Sequence, residues 1–370
     1  MTADAAILRD VAAVDGCPDE DIIGYDALWE SMMKCKRGVM WKASVAHFVL
    51  EGIAEILKLN TELDNGTYRE RKPAYFDVTC PKRRRIMSIP FRDRVYQRSL
   101  NDVAIYPEMV KHFVYDNCAC QKGKGTDFAR NRMKCHLQRH YRKHGCNGYV
   151  LKMDVKGYYP TMRHDVAKAA FRKYLDDRVY VRAAAILDSF PGDIGFYPGS
   201  QIIQIAGISV LNDIDHYIKE RLLVKHYIRY MDDMIIISDS REFLEMIRDE
   251  TGKKLAEIGF CLHDEKTRIT PLADGFMFLG FRFRLTDTGK VVLTVDPRRV
   301  KAERRKLRRM AGLVRAGKMT RKKADQCYAS WKAHATRGNS FNLIRRMDQY
   351  YADLLEGLTH AENHQKALST

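Results

Sequence analysis

Two adjacent acids interrupt an apolar run in Ile228-Arg229-Tyr230-Met231-Asp232-Asp233-Met234-Ile235-Ile236-Ile237, and a third ends another run in Val150-Leu151-Lys152-Met153-Asp154. A carboxylate in an apolar setting carries a large desolvation penalty unless it is partnered, and a bound cation removes that penalty. Taken alone, an Asp-Asp pair is also a common turn or helix cap. Acids delivered by separate strands suit phosphoryl transfer with two metals, which needs two ions roughly 4 Å apart around the attacking and leaving oxygens. Hard oxygen ligands select Mg²⁺, which keeps waters and substrate phosphates in its shell. Asp154 and Asp232 are the expected ion carriers, while Asp233 tunes or orients the site.

Cations dominate the segments around these acids. The 370-residue chain has a formal net charge of +17, which points to a polyanionic partner. Residues 82–98 hold Lys82, Arg83, Arg84, Arg85, Arg92, Arg94 and Arg98 against Asp93. Residues 122–143 add Lys122, Lys124, Arg130, Arg132, Lys134, Arg139, Arg142 and Lys143 against Asp127. From 291 to 350 there are 17 basic and 4 acidic residues, a local balance of +13. A solvated helix face mixes signs, so such density is better explained by phosphate contacts.

The elements that must position the acids follow from periodicity. Leu28, Met32 and Met33, then Val45, Phe48, Val49, Ile53, Ile56 and Leu57, show helical spacing in residues 1–60. Asn65-Gly66 marks a turn, and an alternating stretch with Pro73, Pro81 and Pro90 predicts short strands. Helices are expected from about 93 to 143, strands at 148–153 and 227–237, a Gly/Pro-rich loop at 190–199, a strand pair at 276–283 and 290–295, and a basic helical tail. This is an α+β plan without internal repeats. Cys118, Cys120, Cys135, His136, His140, His144 and Cys146 match no common zinc spacing, so buried thiols and histidines on a basic helix face are expected instead. Nine cysteines without a signal peptide, and no long apolar run, predict reduced thiols, a cytoplasmic location and no membrane span.

In this order the motifs resemble those of prokaryotic reverse transcriptases, over about residues 60–340. Tyr230-Met231-Asp232-Asp233 resembles their Tyr-X-Asp-Asp hairpin, and Asp154 with Tyr158 and Tyr159 resembles their first palm motif. Lys82 to Pro90 and Asp93-Arg94-Val95-Tyr96-Gln97 resemble a fingers motif and its helix, and Cys120 to Thr126 stands where the next fingers motif belongs. Leu255 to Ile269, with Gly259 and Lys266-Thr267, resembles the following palm motif; Phe278-Leu279-Gly280-Phe281 resembles the primer grip.

The resemblance implies a right hand. Its parts are an N-terminal helical extension (1–60), fingers with N-terminal palm elements (61–147), a palm of antiparallel sheet with helices (148–290), and a basic helical thumb and tail (291–370). It implies two Mg²⁺ ions, with Mn²⁺ as substitute, on Asp154, the Val155 carbonyl, Asp232 and Asp233. Nucleotide contacts fall to Lys82, Arg83, Arg85, Tyr159, Gly199, Gln204 and Lys266, with Tyr159 as the aromatic gate against a 2′-hydroxyl. RNA template and DNA fall to Lys122, Lys124, Tyr230, Met231, Gly280, Arg304, Arg305, Arg308 and Arg309, lying in a basic cleft.

One departure stands out: many family members have Gln-Gly followed by Ser-Pro, but here Pro198-Gly199 is followed by Ile203-Gln204. Gln at that place resembles diversity-generating retroelement enzymes and related phage-borne or defence-associated groups. The absence of an acidic cluster after 291 leads us to expect neither ribonuclease H nor a separate endonuclease. Expected partners are a structured noncoding RNA template, a DNA product or primer and deoxynucleoside triphosphates, in a bacterial retroelement or antiphage system. A homo-oligomer or accessory protein is left open. An RNA-dependent RNA polymerase and a noncatalytic RNA-binding scaffold are the alternatives; Tyr159 argues against the first and three intact acids give no reason for the second.

Overall fold

A computed structural model describes residues 19–79 and 83–367. The chain opens on helices α1 (Asp19–Ile23), α2 (Tyr25–Cys35), α3 (Ala43–Leu50) and α4 (Gly52–Asp64), then forms a β1 (Ala74–Val78) and β2 (Arg84–Ser88) hairpin. Helices α5 (Phe91–Leu100), α6 (Tyr106–Met109) and α7 (Thr126–His144) lead to strand β3 (Tyr149–Asp154). After α8 (Tyr158–Thr161), α9 (His164–Arg172), α10 (Asp177–Asp188), α11 (Gln201–Ser209) and α12 (Asn212–His216) come β4 (Tyr227–Tyr230), β5 (Asp233–Ser238), α13 (Arg241–Glu257) and β6 (Arg268–Pro271). Strands β7 (Phe276–Phe278), β8 (Phe281–Leu285) and β9 (Val291–Val295) precede α14 (Pro297–Arg315), α15 (Arg321–Ala335) and α16 (Phe341–Ala367).

The central sheet runs β4-β5-β3-β6, and β3 pairs antiparallel with β6 from Tyr149 opposite Pro271 to Lys152 opposite Arg268. A separate meander runs β7-β8-β9. The fold is α+β, as expected. Its residues fall into two compact units, 1–125 with 153–234 and 246–267, and 126–152 with 235–245 and 268–370. Strands β3 and β5 of the four-stranded sheet thus each carry residues of both units. In the first, Val95, Leu100, Ile105, Met109, Ile202 and Ile205 belong to the buried core. In the second, Leu307, Met310, Ala324, Tyr328, Met347, Tyr351 and Leu355 join α14, α15 and α16 through one apolar cluster. Among the described residues no helix is long and apolar enough to cross a membrane.

Two expectations need correction. Apolar spacing through residues 45–57 does not bury a single face, because the helix restarts at Glu51-Gly52, and Ile53 and Leu57 are 62 % and 50 % exposed. Gly52 packs closely there: a Cβ would stand 3.2 Å from the Met32 methyl. The helical segments expected from about 93 to 143 are present, and between them Phe113 to Gly125 carries turns, with Cys120 at φ 53°. The expected strand over 276–283 is broken in two, since Leu279 and Gly280 take positive φ (46° and 86°) and turn the chain. A Cβ at Gly280 would meet the Arg299 guanidinium at 2.5 Å, so the tight turn needs glycine.

Candidate active site

Asp154 ends β3, and the chain leaving it is held by an antiparallel bridge in which Lys156 N–H donates to the Cys261 carbonyl and His263 N–H to the Asp154 carbonyl, at 2.9 and 2.7 Å. Those bonds flank the Val155–Leu262 pair, so Val155's own carbonyl points to the opposite side, the β5 side of the sheet. The Asp154 side chain is 8 % exposed and accepts a hydrogen bond from Lys266 Nζ at 2.6 Å. Lys266 therefore stands on a carboxylate.

Asp232 and Asp233 follow Met231, whose φ of 57° places it in the left-handed region and makes the turn between β4 and β5. A non-glycine residue there must be held. The holder is Arg229, fully buried with Asp215. Its guanidinium donates to Asp215 Oδ1 at 2.7 Å, to the Met231 carbonyl at 2.9 Å and to the Ile208 carbonyl at 2.9 Å, and it also meets Asp215 Oδ2. Burial alone would push the guanidinium down; the Asp215 carboxylate and its hydrogen bonds hold it above the usual range. The Arg229 backbone is fixed as well, donating to the Asp116 carbonyl at 3.0 Å and accepting from Cys118 N–H at 2.9 Å.

Burial pushes the Asp232 carboxyl above the usual carboxylate range; its own backbone N–H opposes that, the Asp233 and Asp154 carboxylates add to it, and Lys266 opposes it. The Asp233 and Asp154 carboxylates thus both act on Asp232. Among the described residues no three carboxylate, histidine or cysteine side chains are placed to cage an ion alone. A Mg²⁺ shell here would have to be completed by carbonyl, water and substrate phosphate oxygens. The residues present fit the metal on charge and ligand chemistry.

Tyr159 lies beside this group. Tyr158 donates its hydroxyl to the Gly207 carbonyl, and the Tyr159 hydroxyl is buried against Gly207 without a hydrogen-bond partner among the described residues. Burial raises the Tyr159 hydroxyl's pKa, and Cys120 and Asp232 add to the shift. A Cβ at Gly207 would stand 2.6 Å from that oxygen, so glycine on α11 is what lets the ring lie where it does. Gly199 has a similar reason: a Cβ there would fall 2.1 Å from the Met87 carbonyl of β2, where Met87 N–H bonds Pro198. Gln204 is exposed one turn into α11, whereas Ile203, the departure from the family pattern, is a fully buried core residue.

The expected phosphate-binding cations are differently placed. Arg83 is exposed and bonds Asp77 at 2.8 Å, Arg85 lies over the Tyr75 ring, and Lys82 lies outside the described residues. Lys122 is exposed beside Tyr106. Lys124 turns inward, donating to the Tyr115 and Asn117 carbonyls at 3.0 and 2.9 Å, and burial lowers its ammonium's pKa. On α7, His136 and His140 are buried, and His140 stacks on His144 while bonding the Asn147 carbonyl. Tyr230 ends β4 and Met231 makes the turn; Arg304 and Arg308 lie over the Tyr350 ring on helices of the second unit. Sequence reasoning missed Arg229, Asp215 and Gly207. A cation inside the apolar strand Tyr227–Tyr230 was the available signal for the first, since it demands a buried partner.

Residues 193–283 match the family described as reverse transcriptase (RNA-dependent DNA polymerase), a span that includes Asp232, Asp233 and Lys266 and leaves out Asp154. The chain is 23% identical over 272 residues to Protein YkfC of Escherichia coli (strain K12), covering 62% of this chain and 71% of that one. Two solved telomerases are also similar: the apo enzyme from Candida tropicalis truncated from its C-terminal domain (12% identity, TM-score 0.44), and that from Candida albicans in complex with a TWJ fragment of telomeric RNA (10%, 0.46). These alignments cover 60% and 66% of this chain and 55% and 51% of theirs, so the chain spans about half the length of those structures. The ordered motifs, the family match across the paired aspartates and the bacterial relative together support placing the chain among prokaryotic reverse transcriptases.

Proposed function

We propose that the protein is an RNA-directed DNA polymerase that extends a primer by two-metal nucleotidyl transfer. The observation that carries this reading is that Asp232 is acted on by both Asp233 beside it and Asp154 from a distant segment, with Lys266 bonded to the Asp154 carboxylate. Asp154, the Val155 carbonyl, Asp232 and Asp233 would hold two Mg²⁺, for which Mn²⁺ can substitute. Bound there, they would supply activation of the primer hydroxyl and stabilisation of the leaving pyrophosphate.

The chain's own residues do the positioning. Arg229 fixes the Met231 turn that presents Asp232 and Asp233, and Lys266 holds one oxygen of Asp154 in place. Tyr159 offers the face of a ring, backed by Gly207, as a wall against a ribose 2′-hydroxyl; its own hydroxyl, buried on Gly207, is turned away from that task. Arg83 and Arg85, with Lys82, would take the triphosphate, since guanidinium forks bind phosphate oxygens bidentately. Arg83 exchanges an exposed partner, Asp77, to do so, and such pairs are worth only about 0–1 kcal/mol. Lys122, Arg304, Arg305, Arg308 and Arg309 would hold template and product by their phosphates. The template we favour is a dedicated structured RNA of a bacterial retroelement or antiphage system, used in the cytoplasm.

The test is primer extension on RNA with deoxynucleotides and Mg²⁺. Asp232→Asn should lower the rate by about two powers of ten or more, the scale of losing a preorganised electrostatic group, while RNA binding survives. Near-normal synthesis by that variant refutes the assignment.

A further inference from the structure

On the second unit, α14, the end of β9 and the start of α16 enclose a groove of about 1170 Å³. Five cations line it, Lys301, Arg304, Arg305, Arg308 and Arg346, and no carboxylate does. None of the five makes an ion pair among the described residues. Arg308 and Arg346 are instead set in direction, Arg308 by Tyr350 Oη at 2.6 Å and Arg346 by the Asn342 carbonyl at 3.3 Å. Such a wall has no internal countercharge and so favours a polyanion from outside.

Into this groove faces the N-terminus of α16, a helix of 27 residues. Ile344 N–H bonds the Ser340 carbonyl at 2.8 Å, which makes Ser340 the capping residue. Asp296 and Thr320 use their side chains to cap α14 and α15. The Ser340 hydroxyl does not: the residue is 4 % exposed, lines the groove, and its Oγ has no hydrogen-bond partner among the described residues. A buried hydroxyl beside helix N–H groups that no cap side chain satisfies is an anion site in waiting, because the helix dipole and the free donors act together. The start of α16 is also rigid. Asn339 docks on β9 through two bonds with Leu293, at 2.7 and 2.9 Å, and a Cβ on Gly338 would strike the Phe281 ring at 2.7 Å. Next to Ser340, Phe341 lines the same groove yet is 78 % exposed.

We infer that this groove binds a single-stranded nucleic acid segment, with one phosphate seated on Ser340 and the first turn of α16 and the adjoining base stacked on Phe341. Phosphate explains the cations and the unused cap, and the base explains a large ring left bare beside them. A duplex keeps its bases stacked inside and offers nothing to Phe341. The inference takes the nature of the polyanion from the polymerase reading above, but its residues are separate from the aspartates.

The test uses the full chain and a labelled single-stranded RNA of about ten nucleotides carrying photoreactive 4-thiouridine. Binding is read by anisotropy and the contact by mapping the cross-linked peptide. We expect a cross-link within residues 338–346, and about tenfold weaker binding for Phe341→Ala. Ser340→Asp is expected to weaken binding to a similar extent while leaving the denaturation midpoint equal or higher, because aspartate caps a helix well and its charge repels phosphate. Wild-type affinity in both variants, or a cross-link elsewhere, overturns the site. Equal binding of a poly-glutamate peptide of matched charge, with the same sensitivity to both variants, overturns the nucleic acid. Tighter, Phe341-independent binding of duplex overturns the single strand. Asp232→Asn should bind and cross-link as wild type does, so a failure of the polymerase reading is scored separately from a failure here.

Discussion

Arg229→Met tests the idea that one buried cation holds the metal-presenting turn. Arg229 and Asp215 are both 0 % exposed, and the guanidinium reaches Asp215, the Met231 carbonyl and the Ile208 carbonyl. Methionine fills most of the volume but leaves the Asp215 carboxylate buried with the Tyr227 hydroxyl as its remaining side-chain partner among the described residues. Removing one member of a buried pair costs about 3–5 kcal/mol, because the other charge stays desolvated. Guanidinium denaturation should therefore show the first unit destabilised by about that amount. Replacing both members, Arg229→Met with Asp215→Leu, should return much of the stability, since well-packed apolar substitutes for a buried pair are often neutral. Synthesis should not return with it: nothing in the double variant holds the Met231 carbonyl, so Asp232 and Asp233 lose their fixed turn. A single variant that loses under about 1 kcal/mol would refute the buried-charge argument. A double variant that polymerises normally would refute the positioning role while sparing the energetic one.

Tyr159→Val should raise ribonucleotide incorporation by roughly two to three powers of ten relative to deoxynucleotide, the scale of one hydroxyl excluded by overlap, in single-nucleotide extension on RNA; an active variant with unchanged sugar preference rejects the wall. Gly199→Ala should be destabilising by about 1–3 kcal/mol, read by denaturation, because the new methyl would meet the Met87 carbonyl at 2.1 Å and β2 must shift. Replacing Arg304, Arg305, Arg308 and Arg309 together with Gln should weaken RNA binding regardless of sequence and flatten its salt dependence by up to about 0.7 per lost phosphate contact on single strands. An unchanged slope would make these residues a solubilising face.

The strands near the acids were legible because each is a short apolar run ended by an acid: Asp154 closes β3, and Asp232 stands in the turn before β5, a place the Asp-Asp pair also allowed on turn chemistry alone. The N-terminal helices were legible as helices but not in their phase: restarting at Gly52 rotates Ile53 and Leu57 to solvent, and that depends on how closely the second helix approaches Met32. Lys266 could be read as near the site, but not as the partner of Asp154, because a contact 112 residues apart leaves no local spacing. Lys124 illustrates the limit for charge. Its two carbonyl partners are set by the irregular turns between Phe113 and Gly125, which no periodicity encodes. Arg229 stands as a cation in an apolar run between Ile228 and Tyr230, and only the fold reveals that its partner is Asp215.

The contact between the Tyr159 hydroxyl and Gly207 joins two positions that evolution cannot treat separately. There is room at 207 for hydrogen alone while a tyrosine stands at 159, since a methyl would overlap its oxygen at 2.6 Å. A lineage that trims 159 to a residue without the ring frees 207 to drift towards alanine or serine, since the ring carbons themselves would stand 3.0 and 3.1 Å from the new methyl; one that first enlarges 207 displaces the ring and meets selection at once. The two sites form a lock with an order of opening, so descendants are expected to share paired states, a large residue at 159 with glycine at 207, and to reach the reverse pairing only through the smaller residue at 159.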